Sequence, residues 1–334
     1  MTRATPDRPL AAVLAEAAAA AGYAPSVHNT QPWRWRVWPD RLELFAERGR
    51  QLRATDPEGR LLMLSCGAAL HHACLALAAQ GWRAKVSRLP DPGQPDLLAT
   101  VTATGDHPVT PEAMRFMQAM EVRHTDRRPV SDQPVAPATV TAIGTAAHEL
   151  ARVHRLTPEQ VLELAAAASR ADATEAEDPE VREELDYWTS RSAPAGTGLP
   201  AAVLPDRPAQ TTVPGRDFGR PGTLPVGSGH DRAAVYLVLY GDEDEPESWL
   251  RAGEALSTAW LTATELGASV VPLSGVIEVA STRQTLRRVL SGFGHPYLVL
   301  RLGIADPEHA GPPHTPRIPA AQLIDTSPVR PAES

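Results

Sequence analysis

Residues 24–33 read Ala-Pro-Ser-Val-His-Asn-Thr-Gln-Pro-Trp and separate a predicted helix from a predicted strand. The two prolines stiffen the backbone, while the hydroxyl and amide side chains donate and accept hydrogen bonds without carrying charge. Such a loop is suited to hold a flat polar heterocycle, and we call residues 24–33 the ring loop. The competing interpretation is an ordinary polar turn before a strand.

A second stretch, residues 122–128, reads Val-Arg-His-Thr-Asp-Arg-Arg and follows a predicted short helix. It gathers three guanidiniums, an imidazole and a hydroxyl, which suits a phosphate dianion because each guanidinium can donate charge-assisted hydrogen bonds. The competing interpretation is a solvated cluster of charges at the end of a helix. A heterocycle site combined with a phosphate site suggests flavin mononucleotide (FMN).

These two stretches carry a resemblance to a known family. The ring loop resembles the flavin-ring loop of the nitroreductase family, and residues 123–127 resemble that family's phosphate-binding Arg-x-Ser-x-Arg/Lys segment. In ordinary members the phosphate segment precedes the ring loop, whereas here the order is reversed. That order is a feature of the Acg-like branch, in which one chain carries two nitroreductase-like halves, and the resemblance covers roughly residues 8–325.

The resemblance implies which residues would hold the cofactor. At the ring it implies Pro25, Ser26, the backbone of Val27, Asn29 and Gln31. At the phosphate it implies Arg123, His124, Thr125, Arg127 and the late basic residue Arg317. It also gives Arg127 a second possible position, beside the N1–C2 carbonyl edge of the ring, where a cation stabilises the reduced flavin. Arg128 matches a position that usually points away.

A third segment resembles the family only in part. Pro272, Leu273, Ser274 and Gly275 correspond to a Pro-x-Glu-Gly turn whose main-chain N–H meets flavin N5. Serine replaces the glutamate, so a main-chain contact stays possible while the role of the missing carboxylate is in doubt. The alternative is a simple turn at the end of a strand.

The composition limits the classes of protein that this chain can represent. With 334 residues, of which 43% are apolar, the chain can bury a large core. A formal net charge of −8 argues against a nucleic-acid partner. The apolar window 61–79 is predicted to be a buried helix, so we expect no membrane span, and Cys66 and Cys74 fit reduced core residues of a cytoplasmic protein. No metal-ligand spacing, dinucleotide fingerprint or Walker loop is present.

Periodicity predicts an α+β fold in which antiparallel-dominated sheets are surrounded by helices. The first half, 1–108, reads as α-β-β-α-β-β and carries the ring loop. The second half, 109–325, carries the phosphate cluster, and a tail follows at 326–334. The stretch 193–230 is rich in glycine and proline and lacks periodicity, which predicts a long loop that could act as a lid.

The resemblance implies a monomer that acts as an internal pseudo-dimer, with one flavin because the ring loop and the phosphate cluster each occur once. The leading functional prediction is an FMN-binding oxidoreductase that takes hydride from a transient NAD(P)H donor and reduces small nitroaromatic or quinone-like acceptors. One alternative is a non-catalytic protein that sequesters FMN beneath the lid. A binding module for another phosphorylated ligand is the third possibility.

Overall fold

The computed structural model describes five parts of the chain, residues 8–105, 107–191, 195–227, 229–306 and 311–329. The residues outside these ranges are 1–7 and 106 of the first half, 192 and 307–310 of the second half, 193–194 and 228 of the long loop, and 330–334 of the tail. The described elements form the predicted α+β fold, with two antiparallel-dominated sheets and helices around them.

The first half has the predicted order of elements. They are α1 (Leu10–Ala20), β1 (Trp33–Val37), β2 (Arg41–Ala46), α2 (Arg60–Ala79), β3 (Arg83–Arg88) and β4 (Leu97–Thr104). In β1 the side chains alternate strictly between core and solvent, because Trp33, Trp35 and Val37 face inward while the arginines between them face outward.

The second half has more helices. They are α3 (Pro111–Val122), α4 (Pro137–Ala147), α5 (Pro158–Glu177), α6 (Pro179–Thr189), α7 (Pro246–Glu265), α8 (Gly275–Glu278), α9 (Ala280–Val289) and α10 (Ala320–Leu323). Its strands are β5 (Arg152–Arg155), β6 (Val235–Gly241), β7 (Ser269–Leu273), β8 (His295–Gly303) and β9 (Ile324–Asp325). The predicted helical stretch 158–191 is two helices, since Asp178-Pro179 breaks it and the Asp178 carboxylate caps α6.

Two sequence patterns predict helix starts that the structure does not show. Asp56-Pro57 predicts a long helix that begins at Pro57 behind an Asp56 cap, and Ser281 predicts a cap for a later helix. Instead, α2 begins at Arg60, after Gly59 in the left-handed region. Asp56 still serves the helix, since its Oδ2 accepts a hydrogen bond from the Leu62 N–H at 2.8 Å. Ser281 does not cap α9, which begins one residue earlier.

The two sheets share one arrangement. The first sheet has the order β3-β4-β2-β1 and gains β9 in parallel beside β1, while the second has the order β7-β8-β6-β5. In each half a 20-residue helix, α2 or α7, lies between the second and third strands. The parallel β9 comes from the end of the chain, so the C-terminal segment crosses back onto the first half.

Helices α2 and α7 cross closely at a pair of glycines. Gly67 and Gly253 are each the eighth residue of their helix. A Cβ at Gly67 would overlap the carbonyl oxygen of Leu250, and one at Gly253 would overlap that of Leu64. The contact is therefore reciprocal, as in a two-fold interface.

By length and composition α2 is the one described helix that could cross a membrane, but 78% of its apolar window is buried inside the fold.

Candidate functional site

The ring loop holds an unusual backbone conformation. His28, Asn29 and Gln31 have φ values of 48°, 55° and 49°, a region that non-glycine residues seldom adopt. Ser26 stabilises it, because its Oγ accepts a hydrogen bond from the Gln31 N–H at 2.9 Å. Arg50 donates to the Gln31 carbonyl at 2.9 Å and so fixes the exit of the loop. Strain held in this way is common at ligand sites.

The two amide side chains of the ring loop bind other parts of the protein. Asn29 Nδ2 donates to the carbonyls of Gly198, at 3.2 Å, and Pro316, at 2.9 Å. Gln31 donates to the Gly196 carbonyl at 2.7 Å and accepts from the Ile318 N–H at 3.0 Å. These predicted cofactor residues therefore join three segments, and Pro25 and Val27 lie between them, buried and half-buried.

Arg123 and Arg317 lie together beside the ring loop. Each donates to the carbonyl oxygen of Tyr23 at 3.3 Å, and Arg317 also donates to Asn29 Oδ1 at 2.8 Å. The Arg123 guanidinium stacks 4.4 Å from the centre of the Trp260 ring. Both Nε atoms are buried without a hydrogen-bond partner among the residues described. Within the same ranges, neither guanidinium is within 4.0 Å of a carboxylate.

Burial makes these two charges costly. Desolvation, followed by the charge of Arg317, lowers the pKa of Arg123 to about 9, and desolvation lowers the pKa of Arg317 to about 10. Both remain protonated at neutral pH. Two adjacent buried cations with unsatisfied N–H groups favour a bound anion, which would restore both the charge balance and the hydrogen bonds. These donors fit the phosphate of FMN.

Arg127 lies apart from that pair, nearer the ring loop's His28. It donates to the Val203 carbonyl at 3.2 Å, and its guanidinium lies 5.5 Å from the centre of the Phe218 ring. His28 meets the same Phe218 edge-on at 6.3 Å, and its buried Nε2 has no described partner. Burial, then Arg216, then Arg127 hold the pKa of His28 well below its usual value. The structure thus joins Arg127 to the ring side of the site.

The remaining residues of the basic stretch differ in role. Arg128 forms a buried two-pronged ion pair with Asp126, with contacts of 2.9 and 2.7 Å. Half-buried His124 hydrogen-bonds through Nδ1 to the Val122 carbonyl at 3.1 Å, and its ring lies 5.9 Å from that of His314. Thr125 is half-buried beside it.

Residues 195–227, most of the described part of the predicted lid 193–230, are called the insert below. The insert has a short 3₁₀ helix at Ala201–Val203 and a parallel bridge between Pro205 and Leu224. It also has a small apolar cluster of its own, formed by Leu199, Val203 and Leu204 with Phe218 packed against them. Through Gly196, Gly198, Val203 and Phe218 it contacts both the ring loop and Arg127.

The segment 272–275 contains the last two residues of β7, Ser274 and the first residue of α8, and it lies beside the insert. A Cβ built at Gly275 would lie 3.7 Å from Glu175 Oε1 and 4.0 Å from Arg216 Nη1. Pro272, Leu273 and Ser274 are half-buried. Arg216 also acts electrostatically on His28, so the turn and the ring loop border one region.

Sequence reasoning missed several residues here. Tyr23 contributes a carbonyl, which no side-chain pattern reveals, and Trp260 belongs to a helix that reads as core. His28 stands inside the ring loop and could have been chosen as a candidate. Glu175 belongs to a helix, and Arg216 and Phe218 belong to an irregular segment, with no motif that marks any of the three. Only the fold brings them to the site.

An α+β fold with a buried cation pair beside a strained polar loop is consistent with a class of proteins that binds a phosphorylated heterocycle. The Nitroreductase family model matches residues 120–304, more than half of the chain. The chain belongs to the nitroreductase family, a family of oxidoreductases.

Curated relatives agree with this assignment. A protein of Mycobacterium tuberculosis (strain ATCC 25618 / H37Rv), provisionally named NAD(P)H nitroreductase Rv3131, is 40% identical and the match covers 90% of this chain and 88% of that protein. The provisionally named NAD(P)H nitroreductase acg of the same strain is 33% identical, with 90% and 92% covered. Among solved structures, the FMN- and NADPH-dependent nitroreductase NfnB of a sphigopyxis strain is 20% identical, with 63% and 97% covered and a TM-score of 0.41.

Proposed function

We propose that this protein binds one FMN non-covalently and uses it to transfer hydride from NAD(P)H to small nitroaromatic or quinone-like acceptors. The observation that carries the proposal is the buried pair Arg123 and Arg317, which lies beside the strained ring loop without a described carboxylate partner. Membership of the nitroreductase family and the names of the relatives support the oxidoreductase chemistry.

Different residues of the site would contact different parts of the cofactor. Arg123 and Arg317 would hold the phosphate, and Thr125 and His124 would line that side. Arg127 would lie at the edge of the ring, where a fixed cation favours the reduced cofactor. The ring loop and the main chain of Ser274-Gly275 would flank the ring, and the insert would exclude water. When bound, FMN accepts and donates the hydride at its N5 atom.

Both halves enter the proposed site. The ring loop belongs to the first half and the cation cluster to the second, and each occurs once, so we propose a monomer acting as an internal pseudo-dimer with a single flavin. The matching strand order and the reciprocal glycine crossing support this arrangement.

The test starts with the chromophore. Purified protein should release FMN on heating, with one molecule for each chain, and should oxidise NADPH or NADH when a nitroaromatic or quinone is supplied. Two flavins for each chain, FAD in place of FMN, or a phosphorylated ligand without a flavin would overturn the proposal. In titrations of flavin-free protein, Arg127→Ala should weaken FMN binding by about ten- to a hundredfold, the effect of losing one charge-assisted contact.

A second candidate, an FMN-holding protein without turnover, is favoured by the insert. Its contacts with the ring loop and Arg127 would cover the ring, whereas hydride transfer requires donor and acceptor to approach within roughly 3–3.5 Å. Deleting residues 196–227 should then speed bleaching of the flavin by NADPH in stopped flow and loosen FMN. Fast bleaching in the intact protein would instead refute the holding function and favour the reductase.

A further inference from the structure

Two glutamates and one arginine form a buried cluster between α5, α8 and the insert. Arg216 Nη1 contacts both carboxylate oxygens of Glu278 at 2.8 Å, and its Nη2 contacts Glu175 Oε2 at 2.8 Å. The exposed fractions of the three side chains are 11% for Arg216, 2% for Glu278 and 8% for Glu175. One cation therefore faces two carboxyl groups in a site that water scarcely reaches.

The cluster balances its charge when it holds one proton. Glu175 and Glu278 contact the same guanidinium, so two ionised carboxylates there would leave one buried negative charge without a balancing cation. Glu175 Oε1 is buried and has no donor among the described residues, so it is the atom where a proton would be held. Burial raises the pKa of Glu175 to about 8, Arg216 opposes that rise and Glu278 adds to it. At neutral pH one of the two carboxyls is accordingly an acid.

A series of carboxyls leads from this pair toward solvent. Half-buried Asp172 lies one turn before Glu175 on α5, and exposed Asp217 follows Arg216 in the insert. Burial raises the pKa of Asp172 to about 6, and Asp172 acts electrostatically on Glu175. On the far side, burial raises the pKa of Asp56 to about 7, and the charge of Glu278 adds to that rise. The other charged groups facing the cluster are His28, beside Arg216, and Arg283, which donates to the Ile277 carbonyl at 2.7 Å.

The Glu175–Glu278 pair lies beside the turn at 272–275, which lacks the glutamate of the turn that it resembles. Ser274 stands where the resembling turn has a glutamate, and Glu175 Oε1 lies 3.7 Å from a Cβ built on the next residue, Gly275. A carboxyl therefore reaches the turn from α5 instead of from the turn itself. The insert, which contributes Arg216, separates this region from bulk water.

We propose that the Glu175–Glu278 pair holds the proton that acceptor reduction consumes, and that Asp172 and Asp217 replace it from solvent. This inference rests on the proposed function. A quinone-like acceptor takes one hydride, supplied by the cofactor, and one proton, supplied by the pair, and becomes a hydroquinone. The pair is then left with two carboxylates beside one arginine, and a proton arriving through Asp172 restores the balance.

The first test uses the flavin-free protein, so it is independent of turnover. Infrared difference spectra should show a protonated carboxyl band at pH 7 that shifts in D₂O, and Glu175→Gln should remove it. Glu163→Gln, on the exposed face of the same helix, is the matched control and should keep the band. If the band persists in both Glu175→Gln and Glu278→Gln, the inference fails.

The second test separates the two halves of the reaction in the FMN-loaded protein. Glu175→Gln should slow quinone reduction at pH 7 by about 10²- to 10⁴-fold, the usual size for a lost proton donor, while bleaching by NADPH, which consumes no separate proton, stays nearly unchanged. Asp172→Asn should slow the same step less and shift its pH profile.

Arg216→Gln distinguishes proton supply from anchoring of the insert. It loosens the insert and leaves both carboxyls in place, so its pH profile should keep a proton-donor limb that Glu175→Gln loses. Identical profiles for the two variants would mean that Glu175 acts only as an anchor, and the inference would fail. If the protein takes up no FMN at all, the proposed function fails, and the infrared band still decides whether the pair holds a proton.

Discussion

The connection that precedes the first strand of each sheet differs between the two halves. Residues 21–32 connect α1 to β1 and include most of the ring loop, whereas only residues 148–151 connect α4 to β5. The opposite holds after that strand, where β1 and β2 are joined by a tight hairpin but β5 and β6 are separated by α5, α6 and the insert. The helix crossing between the halves is nevertheless reciprocal.

The difference teaches where this fold can vary. Sheets and crossing helices are held by packed apolar side chains and close backbone contact, where a single added methyl is felt. Connections on the surface tolerate large changes of length at modest entropic cost. One half could therefore keep a ligand loop and the other a covering insert without altering the shared core.

The largest predicted effect tests whether the two glycines at the α2–α7 crossing contribute equally to stability, as their matching geometry suggests. Gly67→Ala and Gly253→Ala each place a methyl against a carbonyl of the facing helix, where the obstacle is backbone and cannot rotate away. Each should lower the free energy of unfolding by about 3 kcal/mol or more, and by similar amounts. Urea unfolding measures both losses.

Gly144→Ala in α4 is the matched control. Its added methyl would meet only Val153, at 3.8 Å, so it should be neutral or stabilise by about 0.5–1 kcal/mol through helix propensity. A large loss at one crossing glycine with none at the other would show that the two helices do not share the contact equally.

The second prediction concerns an asymmetry within the crossing. His71 hydrogen-bonds to Ser257 at 2.8 Å, and His72 to the same hydroxyl at 3.0 Å, so only α2 contributes imidazoles. Burial lowers the pKa of His71 from 6.5 to about 4 and that of His72 further. Between about pH 4 and 6.5, the unfolded state therefore binds protons on these histidines that the folded state does not bind. Stability is complete above pH 6.5 and is lost as the pH falls toward 4, by about 3 kcal/mol for His71.

Comparing wild type with His71→Gln isolates this contribution from the carboxyls that titrate in the same range. The variant should be less dependent on pH between 6.5 and 4 in urea unfolding. Exposed His148→Gln should behave as wild type. Parallel curves for all three proteins would contradict the assignment.

The third prediction asks whether the cation pair serves an anion and not the fold. Arg123→Met keeps the stem near Trp260 but removes a buried charge that has no described carboxylate partner. FMN binding should weaken by about ten- to a hundredfold, while the flavin-free protein becomes no less stable. Calorimetric titration and thermal unfolding measure the two effects, with exposed Arg182→Met as the control. If the flavin-free variant is strongly destabilised instead, the pair is structural.

The smallest effect separates the insert from the half that it covers. Arg216→Ala removes the ion pairs to α5 and α8 and should make the insert more sensitive to limited proteolysis. Arg220→Ala in the same insert, whose pair with Asp186 is 3.6 Å long and exposed, should cleave like wild type. Equal cleavage of both variants would remove Arg216 as the anchor.

Much of the core was predictable because it follows local rules. Alternation in β1 and the apolar length of α2 specify their elements directly. The start of α2 was predicted wrongly because Asp-Pro imitates a helix cap, whereas Asp56 reaches the helix across a turn that ends in Gly59.

The site was less accessible from sequence. Residue types in the ring loop and basic stretch indicated a phosphorylated heterocycle, but which arginines meet is a tertiary fact. Arg123 lies beside Arg317, which is far from it in the sequence, and Arg127 packs near Phe218. The carboxyls near the turn come from α5 and α8, and no spacing in the sequence relates them to Ser274.

The parallel pairing of β9 with β1 has a consequence for biosynthesis. A ribosome makes the ring loop well before the loop's partners Pro316, Arg317 and Ile318 and the strand that completes its sheet. The nascent first half therefore keeps one strand edge open until that segment has been made. Stable binding of the cofactor should require the segment, and a ribosome-stalled chain that ends before residue 315 should not retain FMN.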